Sequence, residues 1–254
     1  MEKPQVALFV TCLVDLFRPS VGFASIKLLE DSGCFVEVPQ LQSCCGQPAY
    51  NTGDLDETKK IAKQVIETFE SYDYVIVPSG SCAGMLRHHY PMIFTNDNEW
   101  LERANKLAER SYELLSFLTD VLKVDAIESD FKGIVTYHDS CSGLRELSIY
   151  EQPRKLMGKL EDLHLRELPD SNVCCGFGGT FCVKYADISD RMVENKVNQI
   201  IDTGAQTLLS GDLGCLMNIA GKLQRMGSRL EVRHVAEVLA GMTQGPAIGE
   251  PNRD

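Results

Sequence analysis

Short apolar, β-branched runs recur along the chain, and each gives way abruptly to small and polar residues. "QVALFVTC" (5–12), "YDYVIVPSGSC" (72–82), "KGIVTYHDSC" (132–141) and "AQTLLSGDLGC" (205–215) all read as a strand ending just before a cysteine. "VEVPQLQSCCG" (36–46) and "LRELPDSNVCCG" (165–176) carry weaker runs, each with a proline five residues before a cysteine pair, where a strand should turn into a loop. Between these runs the period changes to that of a helix. Ile61, Val65, Ile66 and Phe69 form one apolar face, and Val193, Val197, Ile200 and Ile201 form another. Asp54 and Asp187 are candidate caps for these helices, and further helices are expected over about residues 19–31 and 153–160.

Strands alternating with helices of this length predict an α/β fold with parallel strands and helical crossovers. The pattern occurs twice, which predicts two similar tandem halves related by a pseudo-twofold repeat: 1–95, then a connecting helix and linker over 96–132, then 133–242. In the connector, Leu101, Ala104, Ala108, Leu115, Leu118 and Leu122 keep near-helical spacing and predict one long amphipathic helix. "RLEVRHVAEVLAGM" (229–242) reads as a last strand and helix, and residues 243–254 as a frayed, flexible tail.

The cysteines follow the same repeat. Cys12, Cys44, Cys45 and Cys82 correspond to Cys141, Cys174, Cys175 and Cys215, at separations of 129, 130, 130 and 133 residues. At this composition a Cys-Cys-Gly triplet arises by chance only about 0.03 times per chain, so two in phase mark a duplicated unit. Loops at the carboxyl ends of parallel strands gather on one edge of a sheet. Each half therefore brings four thiols together from three loops, the ligand set of an iron–sulfur cluster or of a structural zinc ion. Adjacent side chains diverge in extended backbone, so an adjacent pair suits a multi-metal cluster, or a single ion only in a bent loop. Gly46 and Gly176 permit such a bend. "GFGG" after the second pair fits close wrapping of a bulky anionic cluster, which favours iron–sulfur there; in the first half zinc fits as well.

Composition sets the background for this chemistry. The 254 residues suffice for a packed core without disulfides, and 44% hydrophobic with 24% charged residues is ordinary for a water-soluble protein. The N-terminus has no net positive charge and Asp15 interrupts its apolar run, so it does not read as a signal peptide. No run approaches a membrane span of about 18 apolar residues. The expected address is the cytoplasm, where ten cysteines read as ligands or redox groups. A net charge of −11 argues against a nucleic-acid surface, which needs clustered Lys and Arg. "GFGGTF" lacks the dinucleotide spacing, so no flavin or nicotinamide site is expected.

With its doubled cysteine pattern and the strings "PSGSC", "HDSC" and "CCGFGGTF", the chain resembles the paired cysteine-rich CCG domain proteins over about residues 5–242. These include the cysteine-rich subunit of heterodisulfide reductase, the glycolate oxidase iron–sulfur subunit and, most similar in layout, the lactate utilization protein A group. The resemblance implies an iron–sulfur subunit of a cytoplasmic three-protein oxidoreductase that converts L-lactate to pyruvate, beside a ferredoxin-type iron–sulfur subunit and a third subunit. It implies one or two 4Fe-4S-type clusters held by Cys12, Cys44, Cys45, Cys82, Cys141, Cys174, Cys175 and Cys215. The fullest family pattern closes on Cys-x-x-Cys. Ser79 and Asp212 stand where the first cysteine of that closing pair would be, as candidate extra oxygen ligands. Alternatives are a thiol-disulfide reductase subunit of the heterodisulfide type, or a zinc-bound scaffold that docks redox partners.

The remaining chemistry-bearing residues have plainer readings beside functional ones. Cys34 and Cys182 lack counterparts and read as core, with ligation as the alternative, Cys182 as a substitute ligand. His138 and Asp139 are candidates for hydrogen bonding to cluster sulfur, or for capping. His88 and His89 are candidate cleft residues or ordinary surface residues, and Arg87 and Arg145 are read as solvated, with guidance of an acidic substrate or partner as the alternative.

Overall fold

The computed structural model describes residues 3–251 and divides the chain into two compact units, 1–124 and 125–254. The first is built on strands β1 (Gln5–Leu8), β2 (Phe35–Glu37), β3 (Tyr74–Val77) and β4 (Ser111–Glu113), in the order β2-β1-β3-β4. The second repeats this with β5 (Gly133–Tyr137), β6 (Leu163–Leu165), β7 (Thr207–Ser210) and β8 (Glu231–His234), in the order β6-β5-β7-β8. Every pairing is parallel. Val6 aligns with Val36 and Tyr74, and Val135 with Leu165 and Thr207. This is the predicted α/β fold with two similar halves.

The register explains the core. Val75, Ile76 and Val77 are all fully buried, as a central parallel strand covered on both faces requires. The helix Leu55–Phe69 is capped by Asp54, whose carboxylate accepts from Glu57 N, and it buries Ala62, Val65, Ile66 and Phe69 on one stripe. In the second unit the helix Ala186–Asp202 buries Val193, Val197 and Ile200, packed with Leu208, Leu216 and Ile219. Each such side chain stabilises the fold by about 1.5–3 kcal/mol. The predicted helix over 19–31 is the helix Pro19–Asp31, and the one over 153–160 begins earlier, as Glu151–Met157. Asp187 is not a cap: it lies in the first turn, one residue inside a helix that starts at Ala186.

Two expectations are corrected. The long connector helix stops at Arg110, as Asn98–Arg110. Ser111–Glu113 then pairs with β3 as an edge strand, and short helical turns follow over Leu114–Val121. The apolar period runs on through this break, but the edge of β3 offers backbone partners that a continued helix would leave unused. The tail is also packed over its described part. Ile248 N donates to Val232 O, Arg233 Nη1 donates to Gly245 O, and Ala247 is buried.

In each sheet the chain passes from the first strand to one neighbour and returns to the other side for the third. The crevice beyond the carboxyl ends of those strands is the usual ligand position in such sheets. Both sets of cysteines lie there.

Candidate metal centres

In the first unit, Cys12 opens the helix Cys12–Phe17, four residues past β1. Its predecessor Thr11 is held at φ 72°, ψ 144°, a conformation that costs a β-branched residue about 1–3 kcal/mol and sets the direction in which the chain enters the helix. Cys44 and Cys45 sit in the loop after β2. Gly46 follows in the left-handed region at φ 79° and caps the helix Gln47–Thr52, so the backbone turns sharply just behind the pair. Cys82 rides on the short helix Gly80–Gly84, whose cap is Ser79. Cys12 Sγ lies 3.6 Å from Cys44 Sγ, and Cys45 Sγ lies 3.3 Å from Cys82 Sγ. The Tyr90 hydroxyl donates to Cys45 O at 2.9 Å and fixes the loop from below.

The thiols share their protons unequally. Hydrogen bonds from Cys12 and then Cys45 pull the Cys44 thiol down to about 3, while the bond to Cys44 pushes Cys12 up, with burial adding to it. Cys45 is pushed up by its bonds to Cys44 and Cys82 and by full burial. A thiolate flanked by protonated thiols is the arrangement from which a metal displaces protons as it binds.

The second unit repeats the arrangement with different surroundings. Cys141 opens the helix Cys141–Arg145 behind Ser140, which has an ordinary extended backbone and accepts from Gly143 N through Oγ at 3.2 Å. Cys174 and Cys175 follow β6, and Gly176 turns the chain at φ 81°. A Cβ on Gly176 would stand 2.8 Å from Ser189 O, so no side chain fits. Gly176 N donates to Cys174 Sγ at 3.4 Å. Cys215 lies on the helix Leu213–Arg225, and Asn218 Nδ2 donates to Cys175 O at 2.9 Å, the role that Tyr90 plays in the first unit. The Cys174 thiol is pulled down to about 2 by bonds from Cys141 and Cys175, and both of these are pushed up in turn.

His138, just past β5, is wholly buried, and neither ring nitrogen has a hydrogen-bond partner among the described residues. A nitrogen of this ring and the Sγ atoms of Cys175 and Cys215 all lie within 4.8 Å of one another. Burial, with the Lys196 ammonium nearby, pulls the imidazole down to about 3, so it is neutral. Leaving such a polar atom unpaired costs about 1–3 kcal/mol, which a metal ligated by the ring would offset. Two thiols and an imidazole this close together, with Cys174 next to Cys175 in the chain and Cys141 bonded to Cys174, fit a metal centre by the chemistry of the donors.

The cysteine-rich CCG domain model matches residues 6–87 and 135–220, one match for each four-cysteine set. Lactate utilization protein A of Bacillus cytotoxicus is 48% identical over 235 residues, covering 92% of this chain and 98% of that protein. Lactate utilization protein A 2 of Bacillus mycoides gives the same identity and coverage. The chain belongs to the lactate utilization protein A family. A hypothetical protein from Helicobacter pylori, of solved structure, superposes with a TM-score of 0.67 at 14% identity. It aligns with 99% of this chain, which spans half of that longer one, and the likeness concerns fold alone.

Within this family member, the other sequence candidates divide by position. Ser79 Oγ accepts from Cys82 N at 3.4 Å and lies 3.1 Å from Ser81 Oγ, so the hydroxyl serves the turn that carries Cys82. Asp212 is buried at the start of the Cys215 helix, and its charge adds to what pushes that thiol up. Asp139 turns away to a paired ion bridge with Arg154, at 2.9 Å for both bonds, and Arg154 also reaches Glu167. Arg87 donates to Ser111 O on β4, and Arg145 donates to Asn172 O beside the Cys-Cys loop, so both brace backbone. His89 packs at a tilt against Tyr50, its Nδ1 3.1 Å from the Tyr50 hydroxyl, while His88 is exposed. Cys34 is buried ahead of β2, and Cys182 Sγ donates to Gly179 O in the glycine loop.

Lys196, Tyr90 and Asn218 escape sequence reasoning. Lys196 is wholly buried and donates to Asp170 O at 2.9 Å. It lies on the core face of its helix, between Val193 and Val197, and that misplaced charge is the signal that could have found it. Beside the first set lies a cavity of about 450 Å³ lined by Thr11, Cys12, Asp15, Gln42, Ser43 and Cys44 among others. Its lining contains a carboxylate and no Lys, Arg or His.

Proposed function

We propose that each half holds one iron–sulfur cluster, through Cys12, Cys44, Cys45 and Cys82 in the first and Cys141, Cys174, Cys175 and Cys215 in the second. The chain then serves as an electron-transfer subunit of a cytoplasmic oxidoreductase that converts L-lactate to pyruvate. Its expected partners are a ferredoxin-type iron–sulfur subunit and a third subunit. The observation that carries this reading is the delivery, twice, of four thiols from three loops to the crevice at the strand ends. A bound cluster stores and passes single electrons. The chain's own residues turn the loops at Gly46 and Gly176, fix them through Tyr90 and Asn218, and keep one thiol of each set ionised. The names of its relatives supply the lactate pathway. The cavity beside Cys12 offers a carboxylate substrate no Lys, Arg or His side chain of its lining.

The sulfur spacing supports a second reading, a single zinc ion. Tetrahedral zinc with bonds of about 2.3 Å holds its sulfurs roughly 3.8 Å apart, close to the 3.3 and 3.6 Å separations in the first set. Anaerobic purification decides between them. Absorption near about 400 nm and a paramagnetic signal on reduction are expected; stoichiometric zinc without either would reject the cluster. Lactate-dependent reduction of the co-expressed three-protein complex tests the pathway, and turnover of a disulfide substrate in its place would reassign it.

A further inference from the structure

The two halves are not equivalent as ligand sets. The fold puts His138 three residues before Cys141, and at the corresponding place before Cys12 it puts Phe9. Phe9 is fully buried and packs on Phe69, with ring centroids 5.4 Å apart. The strand end therefore accepts a plain apolar ring, and packing alone gives no reason for an imidazole. His138 nevertheless has two buried nitrogens unpaired among the described residues, and one of them stands within 4.8 Å of both Cys175 and Cys215 sulfurs. A neutral imidazole carries one lone pair in either tautomer, whichever nitrogen faces the metal.

We propose that the His138 imidazole is a ligand of the second centre, giving it a mixed nitrogen and sulfur donor set that the first centre lacks. This rests on the reading that the second set of thiols holds a metal. A neutral nitrogen donates less charge than a thiolate, so the second centre has the higher reduction potential of the two.

The test uses the full chain carrying ¹⁵N-histidine, loaded anaerobically with iron and sulfide and partly reduced. Pulsed electron paramagnetic resonance should show a directly bound nitrogen whose coupling changes between ¹⁴N and ¹⁵N protein. The coupling should vanish in His138→Phe, the residue the first half already tolerates, and in His138→Gln, with the Cys12 set unaffected. A cluster whose spectrum ignores the label, or a coupling that survives both substitutions, overturns the proposal. If neither iron nor sulfide binds, the cluster reading itself falls. Cobalt(II) alone, loaded into the same chain, then tests ligation directly: ligand-field bands identical in wild type and His138→Phe would overturn it, and a shift toward an all-sulfur set in the variant would support it.

Discussion

Where the first half sets Phe9 against its cysteines, the second sets His138, and where the first has the exposed Gln64, the second has the buried Lys196. The correspondence is close even in detail, since Gln64 Nε2 donates to Leu41 O and Lys196 Nζ to Asp170 O, each reaching the loop that leads into its cysteine pair. Backbone strain differs as well, with Thr11 in the left-handed region and Ser140 relaxed. The comparison teaches that a duplicated frame fixes where sulfur goes and leaves the surrounding charge free to vary. Two centres built on one frame can thus work at different potentials.

The glycines give the sharpest contrast. Gly176→Ala forces a Cβ to 2.8 Å from a backbone carbonyl at φ 81° and should destabilise the protein by about 3 kcal/mol or more. Gly46→Ala meets only a movable Ile61 methyl at 3.3 Å and should cost about 1–2 kcal/mol. Urea unfolding of the two variants checks the order, and equal losses would break the contrast.

Proton release should be common to both halves. Cys12 and Cys45 are held protonated at neutral pH while Cys44 is ionised above about 3, and Cys141, Cys175 and Cys174 repeat this with Cys174 at about 2. A metal must displace the protons of the raised thiols, which in the second half include Cys215 as well, so affinity rises with pH, by up to about 100-fold per pH unit where two protons leave and about 1000-fold where three do. The ionised thiols add nothing to that slope. Chelator-competition titrations with zinc between pH 6 and 8 measure it, and a flat profile would contradict the shared-proton picture.

A smaller effect separates the halves. Lys196→Gln gives the second half the residue of the first and removes a buried cation that favours the more negative, reduced state of a nearby cluster. The potential of the second centre should fall by roughly 1–2 kcal/mol, about 40–90 mV for one electron, while that of the first stays put. Redox titration of the variant, with wild type as reference, is the measurement.

Much of this was legible in the sequence because β-branched runs and cysteines repeat together. Strands β1, β3, β5 and β7 and the helix Pro19–Asp31 fall where the pattern puts them. Strand β4 did not, because Ala108, Leu115, Leu118 and Leu122 keep a helical period straight through Ser111–Glu113; the pairing with β3 is a tertiary gain that no local window reports. The tail reads as polar and glycine-rich, yet Ile248 finds a partner on Val232. At the centres, the thiols were marked by their spacing. Tyr90 and Asn218 act through loop carbonyls that are distant in sequence, and nothing in their own neighbourhoods announces it.

The central claim is that each half gathers its four thiols around a metal of its own. Anaerobic iron, sulfide and zinc analysis of the wild type beside Cys44→Ser/Cys45→Ser and Cys174→Ser/Cys175→Ser tests it most directly. The account predicts that each double variant loses about half of the bound metal and that the two losses are complementary. Metal content unchanged in both variants, or absent from the anaerobic wild type, would contradict it.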